Sequence, residues 1–329
     1  MTTRNAKSNR LNIRSFSSHK ETDQNGNSLV TFTHDPNEKI GYITLNSPST
    51  YNALSEEMGH EFESLIGQLT SKLNDQKEEQ SSQNNEESSI KNINVIILQG
   101  AGHNFSSGGD LNWLRNLRNN PVHINADKMY NFYKSFLCIR SLPVPTIAYI
   151  EGYAIGAGAC LALATDLRVM DEKAKIGFNF VKLGIHSGMG GSHLLSNAIG
   201  ESRSKLALLT GKVFNAQEAF ENGIAHDISK KNEVDDDTTQ DGDDGNDVDD
   251  AVMTIAKQIA SMHPLAVRTM VQTTRMRENA MGGIGGLDAT MRKEAYAQAL
   301  CYAKDDWGEG LDAIVERRHP NFNNYHDSD

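Results

Sequence analysis

"IEGYAIGAGACLALATDLRV", residues 150–169, carries the pattern from which the fold class is read. The residues leading into it, Val144–Tyr149, are apolar and rich in strand formers, so they read as a buried strand. A turn with Gly152, Gly156 and Gly158 follows. A small-residue helix comes next, and then a further strand in "DLRVM". From Val144 to Thr165 there are 22 residues and one charge, Glu151, which is the length of a bilayer span. The three glycines and the strand-like lead-in argue instead for a strand–turn–helix inside a core. No other stretch comes close to spanning, so a chain without a membrane span is expected.

The same grammar recurs on either side of this stretch. "NVIILQG", Asn94–Gly100, reads as a core strand and runs into a second glycine turn, "AGHNFSSGGDL". Leu29–His34 and Lys39–Leu45 read as paired strands around the turn "HDPNE". Ser55 reads as an N-cap, with helical spacing through Met58, Phe62, Leu65, Ile66 and Leu69. A helix is predicted from Ala126 to about Arg140, and helices fill most of the C-terminal part. Strands alternating with helices predict an α/β fold with a parallel sheet and crossover helices.

Two polar segments interrupt this pattern. The first, about 71–93, contains "SSQNNEESS". The second, "NEVDDDTTQDGDDGNDVDD" at 232–250, holds ten acids and no base. Removing those ten from the formal charge of −11 leaves about −1, so the acidity of the chain is one tract. A segment that charged, with almost no apolar residues, cannot bury a core and is expected to be a disordered surface insert. No basic stripe stands out, which argues against nucleic acid as a partner. Three cysteines, Cys138, Cys160 and Cys301, with no CxxC spacing suggest neither a disulfide framework nor a metal site.

The first twenty residues, "MTTRNAKSNRLNIRSFSSHK", carry five bases and no acid. That is the composition of a mitochondrial transit peptide, so mitochondrial import is expected, with a cytoplasmic location as the alternative. The final "NYHDSD" is not a peroxisomal address. The expected organisation is a disordered segment at 1–28, a core at 29–270 carrying both inserts, and a C-terminal helical region at 271–329.

Two core strands that each end in a bare glycine turn imply a particular chemistry. Ligands of α/β layers gather at the carboxyl ends of strands. Backbone N–H groups near Gly108 and Gly109, and near Gly156 and Ala157 at a helix start, are free to donate. If the turns face one point, two donors converge on one oxygen and form an oxyanion hole for a thioester carbonyl that becomes an enolate. The phosphate-binding alternatives fail on residues. There is no GxxxxGK[ST] run, and "GAGACL" lacks the last glycine of GxGxxG.

At this point the sequence resembles the crotonase superfamily, the enoyl-CoA hydratase/isomerase proteins. "LNSPSTYNAL" looks like the family's "LNRPxxxNAL", and "NFSSGGDL" like "xFxAGxDL". The opening stretch looks like "VxGxAxGGGxELAxxCDxRI", and "KIGFNFVKLGIHSGMGGSHLL" like "xFxxPExxLGxxPGxGGTQRL". "EGLDAIVERRHPNF" looks like the C-terminal "EGxxAFxEKRxPxF". The resemblance runs from about Leu45 to Phe322. It implies a ββα spiral core with a C-terminal helical part, assembly as a homotrimer or hexamer, and an acyl-CoA thioester as partner. Coenzyme A enters as part of the substrate, with no other cofactor. The oxyanion N–H groups fall on Gly109 and Ala157. The CoA-binding positions fall on Tyr51, Asn52, Ala53, Ser106, Ser107, Gly108, Asp110, Leu111 and Gly156. Ser49 departs from the lysine that many members place near the CoA phosphates.

The chemistry departs further. Hydratases of the family add water with two glutamates, and here those positions are Cys160 and Phe180. Water addition needs groups that orient water and deliver a proton, and phenylalanine does neither. His186 is then the first titratable candidate for acid/base work. Asn179, Ser187, Asp110, Tyr130 and Tyr133 follow, and Asp110 also reads as a helix cap. Two readings result. One is an enzyme that stabilises a thioester enolate, by hydration, isomerisation or decarboxylation of a CoA ester. The other is a catalytically weak CoA-thioester binder or an assembly partner of true hydratases.

Overall fold

The computed structural model describes residues 11–12, 28–75, 90–230, 250–280, 286–304 and 306–322. The strands are β1 (Leu11–Asn12), β2 (Val30–Asp35), β3 (Ile40–Leu45), β4 (Val95–Gly100), β5 (Thr146–Ile150), β6 (Tyr153–Ile155), β7 (Leu167–Asp171), β8 (Lys175–Gly177), β9 (Val213–Asn215) and β10 (Asp227–Ser229). The helices are α1 (Glu56–Asn74), α2 (Leu111–Asn116), α3 (Val122–Leu137), α4 (Ala157–Ala164), α5 (Gly191–Ile199) and α6 (Glu201–Thr210). They continue with α7 (Ala216–Glu221), α8 (Asp250–Ala260), α9 (Pro264–Ala280), α10 (Gly286–Tyr302) and α11 (Asp306–Val315).

The larger sheet has the order β1-β2-β3-β4-β5-β7-β10. Its first two pairings are antiparallel and the rest parallel. Every residue of β4 is buried, as a central parallel strand requires. Alternate residues go to opposite faces. Val95 and Ile97 join Ile147 and Tyr149 under Val252, Ala256 and Ala260 of α8. Ile96 and Leu98 face the main core with Phe62, Phe136 and Leu161. A second sheet, β6-β8-β9, stands apart from the first.

Several expectations change in detail. The opening stretch holds two turns rather than one. Gly152, at φ +54, turns the chain out of β5, and Tyr153–Ile155 then pairs with β8 before Gly156 opens α4. Three residues are too few for a period-two signal, so only the partner strand identifies β6. The first polar insert is shorter than its composition implies. Helix α1 runs to Asn74 because Leu73 continues the apolar stripe of Leu65, Ile66 and Leu69, and Ile90 and Ile93 are buried on the far side. Residues 76–89 and 231–249, the centres of both inserts, lie outside the described residues. So do 1–10 and 13–27 of the expected transit peptide, while Leu11–Asn12 form a strand where disorder was expected. The expected boundary at 270/271 falls inside α9. Both predicted caps form. Ser55 Oγ accepts from Met58 N–H at 3.2 Å, and Asp110 Oδ1 accepts from Trp113 N–H at 2.7 Å. Among the described residues, no helix is long and apolar enough to cross a membrane.

Candidate functional site

Strand-like hydrogen bonds hold the two glycine turns side by side. Ser106 N–H donates to Tyr153 O at 2.8 Å, and Ile155 N–H donates to Ser106 O at 3.0 Å. Leu54 N–H donates to Gly108 O at 2.7 Å, and Asp110 N–H donates to Leu54 O at 2.9 Å. The approach is close enough to require glycine at 108. A Cβ there would stand 2.7 Å from Ile155 O and 3.8 Å from Ala157 N, and φ is +103.

Four backbone donors were candidates for the oxyanion hole, and the hydrogen bonds select two. Gly108 N–H is spent on Ser106 Oγ at 3.2 Å, and Gly156 N–H on Gly177 O at 2.8 Å. The N–H groups of Gly109 and Ala157 donate to nothing among the described residues. Ala157 is the first residue of α4, where intrahelical acceptors are missing and the dipole favours negative charge.

A cavity of about 500 Å³ adjoins this pair. Tyr51, Ala53 and Ser107 line it from the two loops assigned to CoA. Those loops are joined by Ser107 N–H donating to Tyr51 O at 2.9 Å. Gly108, Gly109, Asp110, Leu111, Gly156 and Ala157 also line it, as does Phe180. Its walls are largely apolar, with Leu114, Met129, Phe132 and Ile185.

Other expected site residues fall elsewhere. Asn52 and Ser106 are fully buried beneath the loops. Asn52 Oδ1 accepts from Ser47 N–H at 2.8 Å, while its Nδ2 donates to Ala101 O at 2.9 Å and Asn104 O at 2.7 Å. Asn52 also sits at φ +53. It shapes the CoA loop from below and does not touch the cavity. Asn52→Ala is expected to lower unfolding stability by about 1–3 kcal/mol, read by urea denaturation, because it removes a fully buried side chain that is the partner of three half-buried backbone groups. A loss below about 0.5 kcal/mol would contradict this placement.

Cys160 is fully buried, its Sγ donates to Gly188 O at 3.5 Å, and it is not among the residues that line the cavity. Burial pushes its thiol well above the usual range, so it holds its proton. The His186 ring is exposed and absent from the cavity wall, with Nδ1 2.6 Å from Ser187 O. Ser187 is buried but does not line the cavity. Tyr130 is outside it too, paired with Asp288 and Arg292.

Tyr133, one of the expected candidates, lines the cavity together with two residues that local reading passed over, Gln298 and Tyr302. Tyr133 Oη donates to Gln298 Oε1 at 2.6 Å, and Tyr302 Oη donates to the same oxygen at 3.0 Å. Gln298 Nε2 donates to His186 O at 2.8 Å. Burial pushes both tyrosines well above their ordinary range, so they remain neutral. One turn earlier on α10, the buried Glu294 carboxylate accepts from Gly190 N–H at 2.7 Å, Ser192 N–H at 3.0 Å and Ser192 Oγ at 2.6 Å. Burial raises its pKa and these donors oppose the rise. The signal in the sequence was Glu294, Gln298 and Tyr302 at i, i+4 and i+8, a polar row on a helix face that is buried. Among the described residues, no group of three or more His, Cys, Asp and Glu side chains could hold a metal ion.

The chain is similar to known proteins over most of its length. The family model described as Enoyl-CoA hydratase/isomerase matches residues 35–325. A crotonyl-CoA hydratase of Syntrophomonas wolfei is 29% identical over 290 residues, covering 87% of this chain and 95% of that protein. A 2,3-dehydroadipyl-CoA hydratase of Escherichia coli K12 is 26% identical over 285 residues, covering 87% and 95%. Among solved structures, an enoyl-CoA hydratase from Bacillus halodurans superposes with a TM-score of 0.67 at 24% identity, covering 87% of this chain and all of that one. An enoyl-CoA hydratase/isomerase from Xanthobacter autotrophicus Py2 superposes with a TM-score of 0.68 at 21% identity, covering 88% and 93%. The expected crotonase-like α/β fold is therefore the fold of this chain.

Proposed function

The chain belongs to the enoyl-CoA hydratase/isomerase family, and within it we propose an enzyme that decarboxylates a 2-carboxyacyl-CoA through an oxyanion-stabilised enolate. The observation that carries this reading is the pair of unspent N–H groups, Gly109 and Ala157, beside an apolar cavity. A thioester oxygen placed between them gains negative charge as the enolate forms, and fixed donors stabilise that charge most where it develops.

The choice among reactions follows from the cavity wall. Its titratable side chains are Tyr51, Asp110, Tyr133 and Tyr302. Both buried tyrosines are committed to Gln298, and Asp110 caps α2. Hydration and double-bond shifts both need a base in the cavity, at positions held here by Cys160 and Phe180. Decarboxylation needs none for its first step. The bond from the α-carbon to the carboxylate breaks, and its electron pair passes into the enolate. Carbon dioxide leaves and water returns a proton to the α-carbon. The apolar face of Phe180 disfavours the carboxylate more than the neutral product.

The same substitutions favour a second reading, a CoA-thioester binder without turnover. Self-association as a trimer or hexamer belongs to either reading, and exposed Leu206, Leu209, Met270 and Met276 support it. The deciding experiment incubates the protein in D₂O with crotonyl-, 3-enoyl-, butyryl- and methylmalonyl-CoA, with products read by mass spectrometry. Loss of CO₂ with one α-deuterium from methylmalonyl-CoA is the expected result. Water addition to crotonyl-CoA as the fastest reaction would overturn decarboxylation. Binding with neither product nor exchange would leave the binder.

A further inference from the structure

Asn179 stands just before the 3-10 turn Phe180–Leu183, at its N-cap position. Asparagine there normally caps with its side chain. This one does not, and its carboxamide makes no hydrogen bond to any described residue. The side chain is half-buried and lines the cavity. Its Oδ1 lies 3.7 Å from where a Cβ on Gly156 would be, as does Cε1 of Phe180. Backbone geometry then puts the carboxamide within about 7 Å of Ala157 N. That spacing leaves room for a thioester oxygen on Ala157 and a substituent of the α-carbon on Asn179.

We propose that the Asn179 carboxamide binds and orients the carboxylate of the 2-carboxyacyl-CoA, and so sets specificity for that substrate class. The inference rests on the decarboxylation reading above. The amide N–H is the donor, and rotation of the carboxamide presents either end. Cleavage requires the breaking bond to stand out of the thioester plane, where its electrons overlap the carbonyl system. A hydrogen bond from one side of the cavity, with the N–H pair on the other, holds that angle.

The residue type fits the energetics. The carboxylate loses its charge as CO₂ forms, so any group that grips the charge stabilises the ground state more than the transition state. A guanidinium or ammonium would grip it strongly. A neutral amide orients the group and releases it at lower cost. A carboxamide is also no acid or base, which matches a reaction whose first step moves no proton.

The experiment compares methylmalonyl-CoA with butyryl-CoA on the full chain, by calorimetric binding and by turnover. The variants are Asn179→Ala and Asn179→Asp. Taking both esters on each variant cancels any loss of folded protein. Asn179→Ala should weaken methylmalonyl-CoA relative to butyryl-CoA by about 10- to 100-fold, the range for a hydrogen bond to a charged group. The change should fall mainly on KM, with kcat altered less. Asn179→Asp sets like charges together and should weaken the same ratio by more than the alanine variant does. A ratio unchanged within about threefold in both variants would overturn the assignment. If wild type binds butyryl-CoA but neither binds nor decarboxylates methylmalonyl-CoA, the assignment and decarboxylation both fall while CoA-ester binding stands. If it binds neither ester, the acyl-CoA reading fails as well.

Discussion

Ala157→Pro is expected to lower kcat on the turned-over CoA ester by about 10²- to 10³-fold while the protein stays folded. Proline suits the first position of a helix, where its missing N–H costs no intrahelical bond. Ala157 holds that position in α4. The substitution thus deletes one donor of the pair and spares the scaffold. The N–H of Gly109 remains, so residual turnover is expected. Ala157→Ser keeps the donor and should stay near wild type. Stopped assays of product formation give kcat, and circular dichroism checks the fold. Unchanged kcat in the proline variant would mean that no charge develops at this point, and the enolate reading would be wrong.

The second large effect is on stability. Arg275 of α9 is buried and lies against Asp166, its Nε donating to Oδ1 at 2.8 Å. It also donates to Arg140 O at 3.1 Å and Val144 O at 3.2 Å, and to Leu142 O. Asp166 Oδ2 in turn accepts from Thr146 N–H at 2.7 Å and Thr146 Oγ1 at 2.9 Å, at the start of β5. One guanidinium therefore joins the C-terminal helices to the base of the strand whose far end leads to Gly156. Arg275→Met keeps much of the volume and removes the cation. It strands a carboxylate and three carbonyls. Breaking one side of a buried pair costs about 3–5 kcal/mol, which lowers Tm on the order of 10 °C in a domain of this size. Arg275→Lys keeps charge without the fork and should fall between. A melting shift below about 2 °C for Arg275→Met would show that water satisfies the stranded groups.

The two effects divide along the line between local and distant information. Ser55 and Asp110 were legible as caps because a cap is a relation among residues three apart. Strand β4 was legible because six consecutive buried residues need no partner to be recognised as core. Strand β6 was not, since three residues carry no period and only pairing with β8 defines them. The first polar insert was overestimated for a related reason. Leu73 is one apolar residue among polar ones, and its burial follows from the stripe of the whole helix.

The α/β alternation, the two glycine turns and the family could be read from the chain alone. Each of these is written in neighbouring residues through propensity, periodicity or identity. Which groups meet follows from the folded chain alone. It left Gly109 and Ala157 as the unspent donors among the described residues and kept Cys160 out of the cavity wall. It put His186 outside the cavity wall and brought Gln298 to Tyr133 across 165 positions. Propensity acts over a few residues. Whether a donor is already satisfied, or a side chain faces a cavity, depends on atoms that arrive from distant parts of the chain.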